Sequence, residues 1–382
     1  MSNIFAVLAP KIFDGHKWLE DAALIINDKH VEHISPISEL PQAIKSIDLG
    51  QGIISPGFVD LQVNGGGGVL LNNDPSVDGI RKICAAHAQF GTTSLFPTLI
   101  TDSNDVRNAA ITASIEARKQ NITGFAGLHL EGPHICVARK GAHDKKYIRP
   151  MLDEDVEILL AAQSSILSVI VTLAAESVTP KQVEALSAAG IKISLGHCDA
   201  GIDQINPLLD AGASMFTHLF NAMSQMRARE PGMVGVALGT NSYASIIADG
   251  YHVHPQSIAN AIAAKKAQNG KVFLISDAMS FIGTNAQELV LNNRKILRHD
   301  GRLSLEDGTL AGADIEMASA VRYMHQQIHL ELAEALRMAT IYPRSAAGLD
   351  NIGDLLPGSR ADFVWLDDNL TAQATWIEGQ KI

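Results

Sequence analysis

The sequence predicts an α/β protein: a (β/α)8 TIM-like barrel, with a small β-sandwich domain formed by the two chain ends. Three observations predict the barrel and its appendage. Eight short apolar strand candidates lie between residues 54 and 277, with helix candidates between them. These strands are apolar almost throughout, as strands are when both faces are covered. Each chain end carries a few β-like runs, too few by themselves to bury a core.

In chain order, residues 1–53 hold apolar runs at 4–8, 23–26 and 30–34, broken by Asp14-Gly15 and Asn27-Asp28. Runs at 362–366 and 374–377, then a turn at Glu378-Gly379, repeat this pattern at the other end. We expect 1–53 and 350–382 to pair into one small β domain beside a catalytic barrel spanning 54–349. Barrel strands are expected at 54–64, 93–99, 125–131, 167–174, 192–197, 215–221, 245–249 and 272–277. Helices are expected at 78–90, 103–120, 179–189, 203–211 and 255–267. The helix at 179–189 has Pro180 in its first turn and Gly190 past its end. Such alternation is the pattern of an eightfold barrel. A doubly wound sheet is the alternative, but Gly65-Gly66-Gly67-Gly68 does not fit the GxGxxG turn of dinucleotide binders. That glycine run reads equally as a flexible connection or as a close backbone approach to a ligand. After Asp277, an insertion of hairpin character, Asn292-Asn293 to Gly308, could reach over the barrel mouth. A last helix is expected at 331–339.

Composition narrows the class. A chain of 382 residues suits one large barrel with an appendage, or two ordinary domains. Hydrophobic content of 46% with 19% charged residues is that of a soluble globular protein. A net charge of −11 argues against a nucleic-acid partner. Cys84, Cys136 and Cys198 are widely spaced and read as reduced thiols of a cytoplasmic protein. The N-terminal stretch lacks the basic and apolar regions of a signal peptide. No apolar run reaches the ~18 residues of a membrane span, so no membrane partner is expected.

In a barrel of this kind, catalytic groups stand at the C-terminal ends of strands. Those ends carry Gln62 and Asn64, Glu131, His197, His218 and Asp277, with His252 just after the seventh strand. One carboxylate and two imidazoles form a three-ligand catalytic zinc set that leaves a position open. Asp277 is not needed as a ligand, so it is free to act as general base and then acid. His129 reads as a core residue. His252-x-His254 looks like a metal pair, but the set is complete without it. Asp153, Glu154 and Asp155 read as a helix start.

Six segments in order then show a family resemblance. They are Ser55-Pro-Gly-Phe-Val-Asp-Leu-Gln-Val-Asn-Gly65, Leu128-His-Leu-Glu-Gly-Pro133, Gly196-His197, Thr217-His-Leu-Phe-Asn-Ala-Met223, Ala248-Asp-Gly-Tyr-His252 and Ser276-Asp-Ala278. Together they resemble the N-acetylglucosamine-6-phosphate deacetylases of the amidohydrolase superfamily. The resemblance implies that Glu131, His197 and His218 hold the metal and that Asp277 transfers the proton. It implies that Ala142 and His143 belong to a substrate loop in which His143 polarises the acetamide carbonyl. Asn221, Ala222 and Arg229 would contact sugar and phosphate. Asp249, Gly250, Tyr251 and His252 would form another contact segment, and Leu310, Ala311 and Gly312 a third.

Many members of the superfamily carry His-x-His on strand one and bind two metals. Gln62 and Asn64 stand there instead, which implies one divalent metal per subunit, zinc, iron(II) or cobalt(II). Both amides are placed to hydrogen-bond water or substrate. The expected activity is hydrolysis of the acetamide of N-acetylglucosamine 6-phosphate, a small-molecule substrate, by a cytoplasmic homodimer. N-acetylgalactosamine 6-phosphate is the alternative substrate. An inactive homologue with a structural role would be expected to have lost the ligands or Asp277, and all are present. A cyclic-amide hydrolase would usually carry the missing His-x-His.

Overall fold

A computed structural model describes residues 3–291 and 294–382. Asn292 and Asn293, the expected start of the insertion, therefore lie outside the described residues.

Among the described residues, eight parallel strands follow one another in chain order. They are β1 (Phe58–Val63), β2 (Thr92–Ile100), β3 (Leu128–Glu131), β4 (Val169–Leu173), β5 (Lys192–Leu195), β6 (Met215–Phe216), β7 (Tyr243–Ile246) and β8 (Val272–Leu274). The ring closes between first and last. Val63 and Ala278 form a parallel bridge, and the Asp277 N–H donates to the Gln62 carbonyl at 3.0 Å. Every residue of β1 and β2 is buried, as in parallel strands covered on both faces.

Polar side chains cap the helix starts. Ser76 accepts from the Gly79 N–H ahead of Val77–Ala88, and Ser103 from the Val106 N–H ahead of Asn104–Lys119. Thr179 and Gln182 form a reciprocal capping box ahead of Pro180–Ala188. Three helices go beyond expectation: Gly232–Gly239, Met317–Gln326 and Ile341–Ala347. The first is buried over most of its length and has no polar face, so its sequence shows no helical alternation. No helix among the described residues is long and apolar enough to cross a membrane.

The chain ends meet in a second sheet. Ile4–Phe13 pairs antiparallel with Trp18–Asn27, which pairs with His30–Pro36. On its other side, Phe5–Leu8 runs parallel to Lys45–Asp48, and Lys11–Ile12 runs parallel to Ile53–Ile54. Phe363–Leu366 joins Ile53–Pro56 and carries Ala372–Ile377 beside it. Phe363 and Trp376 stack at 4.6 Å between ring centroids. Glu378 and Gly379 both have positive φ, the geometry of a two-residue hairpin turn.

The strand expected at 54–64 divides at Gly57. Ile53–Pro56 lies in the terminal sheet and Phe58–Val63 in the barrel. Gly57 donates its N–H to the Asp362 carbonyl at 3.0 Å. A Cβ there would lie 2.2 Å from both Thr93 Cγ2 and Thr93 Oγ1. The chain thus crosses between sheets pressed against β2, where only hydrogen fits. The insertion after β8 forms a three-stranded antiparallel sheet, Glu288–Leu291, Arg294–His299 and Arg302–Leu305. Its Leu291, Ile296 and Leu303 pack with Ile100, Met279 and Phe281 beside the barrel mouth.

We expect Gly57→Ala to destabilise the protein by ~1–3 kcal/mol, the range for overpacking beside a stiff side chain. Gly239 has open space around it, so Gly239→Ala should not destabilise. Urea midpoints measure both. Equal midpoints for Gly57→Ala and wild type would show that Thr93 yields at no cost.

Candidate active site

The site grows from strand ends that stop short. The runs expected to continue to His197, Asn221 and Asp277 end as strands at Leu195, Phe216 and Leu274. His197, His218 and Asp277 follow with φ of 49°, 38° and 49°. Left-handed backbone at a non-glycine residue is uncommon and, when held, clusters at functional sites. Here it breaks the ladder just where the side chains leave the strands. Neighbours hold each turn. The Cys136 N–H donates to the His197 carbonyl at 2.8 Å, and Ser245 Oγ accepts the His218 N–H at 2.8 Å. Gly196 is needed before His197, since a Cβ would lie 2.9 Å from Thr172 Cγ2 and from Thr217 Cβ.

Glu131 stands at the centre. Its Oε1 lies 3.2 Å from His197 Nε2 and 3.0 Å from His218 Nε2, and the two nitrogens are 3.0 Å apart. His197 Nδ1 faces the Arg139 carbonyl at 2.7 Å, and His218 Nδ1 faces the Asn221 carbonyl at 3.2 Å. Carbonyls only accept, so both imidazoles carry their proton on Nδ1. Both Nε2 atoms then present lone pairs to each other and to a carboxylate oxygen. Three converging acceptors fit a shared cation, with second partners fixing each ring as metal-binding histidines require.

His143 differs. Glu131, His143 and His197 each offer one ligand atom within 4.8 Å of the others, and His143 Nε2 is 3.7 Å from Glu131 Oε2. But His143 Nδ1 accepts the Thr101 N–H at 3.3 Å and contacts Thr101 Oγ1 at 2.7 Å. A backbone N–H can only donate, so the neutral ring carries its proton on Nε2. His143 therefore presents a donor to the cavity, whereas His218 presents a lone pair. Burial first, then the neighbouring His197, lower the His143 imidazole to about 4 and keep it neutral.

Burial opposes ionisation of Glu131, yet its polar contacts, that with His143 first, outweigh it and hold the carboxyl well below its usual range. Asp277 goes the other way. Burial, then the Glu131 charge, raise it to about 6. Asn64 Nδ2 donates to Asp277 Oδ1 at 2.7 Å, and Gln62 Nε2 donates to Asp277 Oδ1 at 3.2 Å and to Glu131 Oε1 at 3.0 Å. The two amides thus join the carboxylates, while Gln62 Oε1 and Asn64 Oδ1 are buried without a partner among the described residues.

These groups open into one cavity of about 290 Å³. Asn64, Glu131, Ala142, His143, His197, Asn221, Ala222, His218, His252, Asp277, Leu310, Ala311 and Gly312 line it, so most of the expected residues come together. Gln62 lies behind the wall. Asp249 also stands back and holds His252, Oδ2 to Nδ1 at 2.6 Å. Gly250 and Tyr251 do not line the wall; the Tyr251 hydroxyl donates to the Asp300 carbonyl at 2.5 Å instead. Arg229 is exposed and away from the wall. Sequence reasoning missed Ile100, Gly141, Ile247, Met279, Leu291 and Thr309 in the wall, and Thr101 behind His143. The strand-end rule could have found Thr101, which directly follows β2.

The family profiles cover nearly the whole chain. Residues 53–382 match the Amidohydrolase family, and residues 4–54 match the NagA composite domain. The chain belongs to the amidohydrolase family. This amidohydrolase is 42% identical over 335 residues to a relative named N-acetylgalactosamine-6-phosphate deacetylase from Shewanella sp. (strain ANA-3), covering 87% of the chain and 84% of that protein. It is 31% identical over 380 residues to N-acetylglucosamine-6-phosphate deacetylase from Haemophilus influenzae, covering 98% of each. The crystal structure of N-acetylglucosamine-6-phosphate deacetylase from Pasteurella multocida superposes with a TM-score of 0.95, at 32% identity and 99% coverage of each chain.

The loop that brings His143 into this amidohydrolase's site is tied down by a buried ion network. Asp155 accepts from Arg107 Nη1 at 2.6 Å, from Arg149 Nη1 and Nη2 at 2.5 and 2.7 Å, and from the Leu152 N–H at 2.9 Å. Burial opposes the charge on Asp155, but Arg149 and the Leu152 N–H hold the carboxyl well below its usual range. Asp155→Asn should lower the unfolding free energy at pH 7 by ~3–5 kcal/mol, as when a buried pair loses one partner. A folded-state pKa below the unfolded value of about 3.9 gives stability that is full above that pH and fades below it. The gap between variant and wild type should therefore narrow as the pH falls below roughly 4. Urea unfolding at several pH values measures it, and a constant gap would deny Asp155 this role.

Proposed function

We propose that this chain hydrolyses the acetamide of N-acetylglucosamine 6-phosphate to glucosamine 6-phosphate and acetate, with one divalent metal held by Glu131, His197 and His218. The observation that carries the reading is the convergence of three acceptor atoms beside a separate, raised carboxyl, Asp277, in one cavity. A metal bound there supplies a Lewis acid for the acetamide carbonyl and acidifies water. The nitrogen and oxygen donors suit zinc, and iron(II) or cobalt(II) also fit them.

The chain's own residues do the rest. Asp277 takes the proton of the attacking water and later gives it to the departing amine. Its value of about 6 lets one carboxyl do both near neutral pH. Asn64 and Gln62 aim Asp277 Oδ1. The Nε2–H of His143 donates to the oxygen that becomes negative in the transition state, a role a metal-ligating imidazole could not fill. The apolar walls, Ile100, Ile247, Met279 and Leu291, exclude bulk water. Asn221, Ala222, His252 and the 310–312 segment bind the sugar. The family resemblance assigns phosphate to Arg229, which follows the cavity-lining Asn221 and Ala222 on an exposed loop. Homodimeric assembly and a cytoplasmic setting belong to this reading on the same ground.

A relative named for N-acetylgalactosamine 6-phosphate shares 42% identity, so the C4 epimer is the second reading. Acetate release on both 6-phosphosugars and on unphosphorylated N-acetylglucosamine, side by side, decides the substrate. We expect the gluco phosphosugar to have the highest kcat/KM. No acetate from any of them would sink the deacetylase reading, and a higher galacto rate would reverse the preference. Asp277→Asn should keep metal and fold but cut kcat at least ~10²-fold. Near-normal turnover in that variant would remove Asp277 from the mechanism.

A further inference from the structure

A run of buried polar side chains precedes the cluster on several strands, and the chemistry above does not use it. His129 lies on β3, two residues before Glu131. Its Nδ1 is 2.9 Å from the Leu61 carbonyl and its Nε2 is 2.7 Å from Thr172 Oγ1. Thr172 Oγ1 lies 2.7 Å from Thr217 Oγ1, which lies 2.5 Å from Ser194 Oγ. A carbonyl only accepts, so Nδ1 carries the proton and Nε2 of the neutral ring accepts. Thr172 therefore donates to His129, Thr217 to Thr172, and Ser194 to Thr217. Each hydroxyl has one proton to give, so the whole chain runs in one direction. It ties together β1, β3, β4, β5 and the end of β6.

β1 needs that tie. Its pairing with β2 slips between Asp60 and Val63, and the partner of Val63 is Pro97, which has no N–H. Side chains stand in for the ladder. Thr98 Oγ1 accepts the Val63 N–H at 2.9 Å, and His129 donates to the Leu61 carbonyl. This stretch carries Gln62, which joins Glu131 to Asp277. At the other end of the chain, Thr172 and Thr217 flank Gly196, the residue before His197.

We propose that His129 is a positioning residue for the metal site. Through the Leu61 carbonyl and the directed hydroxyl chain, it sets where Gln62 and Glu131 stand, and so the geometry offered to a metal. The inference rests on the metal reading of Glu131, His197 and His218.

The test uses cobalt(II) as the probe on the full chain. Affinity is read by chelator competition and geometry by the visible absorption band, with kcat and KM measured alongside. His129→Phe keeps a ring and removes both nitrogens. We expect a loss of cobalt affinity of about 10–100-fold, the range for partners behind a metal shell. The band should shift, and kcat should fall without a matching rise in KM. His129→Asn keeps an N–H near the Nδ1 position and should recover most of each. Thr172→Val breaks the chain one link on, and Thr172→Ser keeps its hydroxyl, so this pair repeats the comparison if His129→Phe does not fold. Native affinity and a native band in His129→Phe, or in Thr172→Val where that pair is used, overturn the inference. So does an equal loss in the conservative and disruptive members of a pair. Wild-type protein that takes up no cobalt overturns the metal reading and this inference with it. Wild type binding one equivalent no better than the variants overturns this inference alone.

Discussion

A carboxylate that stays ionised while fully buried is the constraint on which the rest of this structure depends. Glu131 is only 2% exposed, and burial by itself favours its neutral form. Gln62 Nε2 and the His143 Nε2–H face its charge as donors, while His197 and His218 bring their lone pairs beside it. Each comes from a different part of the ring: the end of β1, the segment after β3, and the turns after β5 and β6. An open sheet spreads such strand ends along a line. A closed barrel brings them round one mouth, so closure between Val63 and Ala278 is a condition of the site as much as of the fold.

The same closure explains the strain. A strand that continued straight would carry His197, His218 or Asp277 past the mouth. Positive φ at all three turns them out of the ladder, at a cost of order 1–3 kcal/mol each. The hydrogen bond from the Cys136 N–H to His197 and that from the His218 N–H to Ser245, with the contact that only glycine permits at 196, offset that cost locally. Loops then roof the site. The Arg294 guanidinium, on the inserted sheet, donates to the Ala142 carbonyl, and the turn at Asp300 receives the Tyr251 hydroxyl. The inserted sheet thus touches both the loop that carries His143 and the segment that carries His252. With apolar side chains packed beneath it, the polar groups inside act across a low-dielectric interior, where their charges count for more than in water.

Much of this was legible in the sequence. Eight apolar runs, Pro180 and Gly190 at the ends of one helix, and β-like chain ends gave away element types and order, because periodicity and helix-end signals are properties of neighbouring residues. Glu131, His197, His218 and Asp277 were visible as polar side chains ending apolar runs. The helix Gly232–Gly239 was not visible, since burial on nearly all sides leaves no alternation. Nor was the division at Gly57, where one largely apolar stretch serves two sheets and only the contact with Thr93 marks the crossing. Strand ends ran too long for a similar reason: the backbone turns at His218 and Asp277 are imposed by partners on other strands.

By itself, then, the sequence determined the kinds of elements, their order, and that Glu131, His197, His218 and Asp277 stand at the mouth of the barrel. The tertiary structure decided what each side chain presents there. Composition cannot tell a histidine that presents a lone pair from one that presents a proton. His197 and His218 turn lone pairs inward because the Arg139 and Asn221 carbonyls take their Nδ1 protons. His143 turns a proton inward because the Thr101 N–H occupies its Nδ1. The partners of His143 and His197 lie 42 and 58 residues away along the chain. Tautomer, burial and orientation depend on such distant neighbours, and only folding brings them into contact.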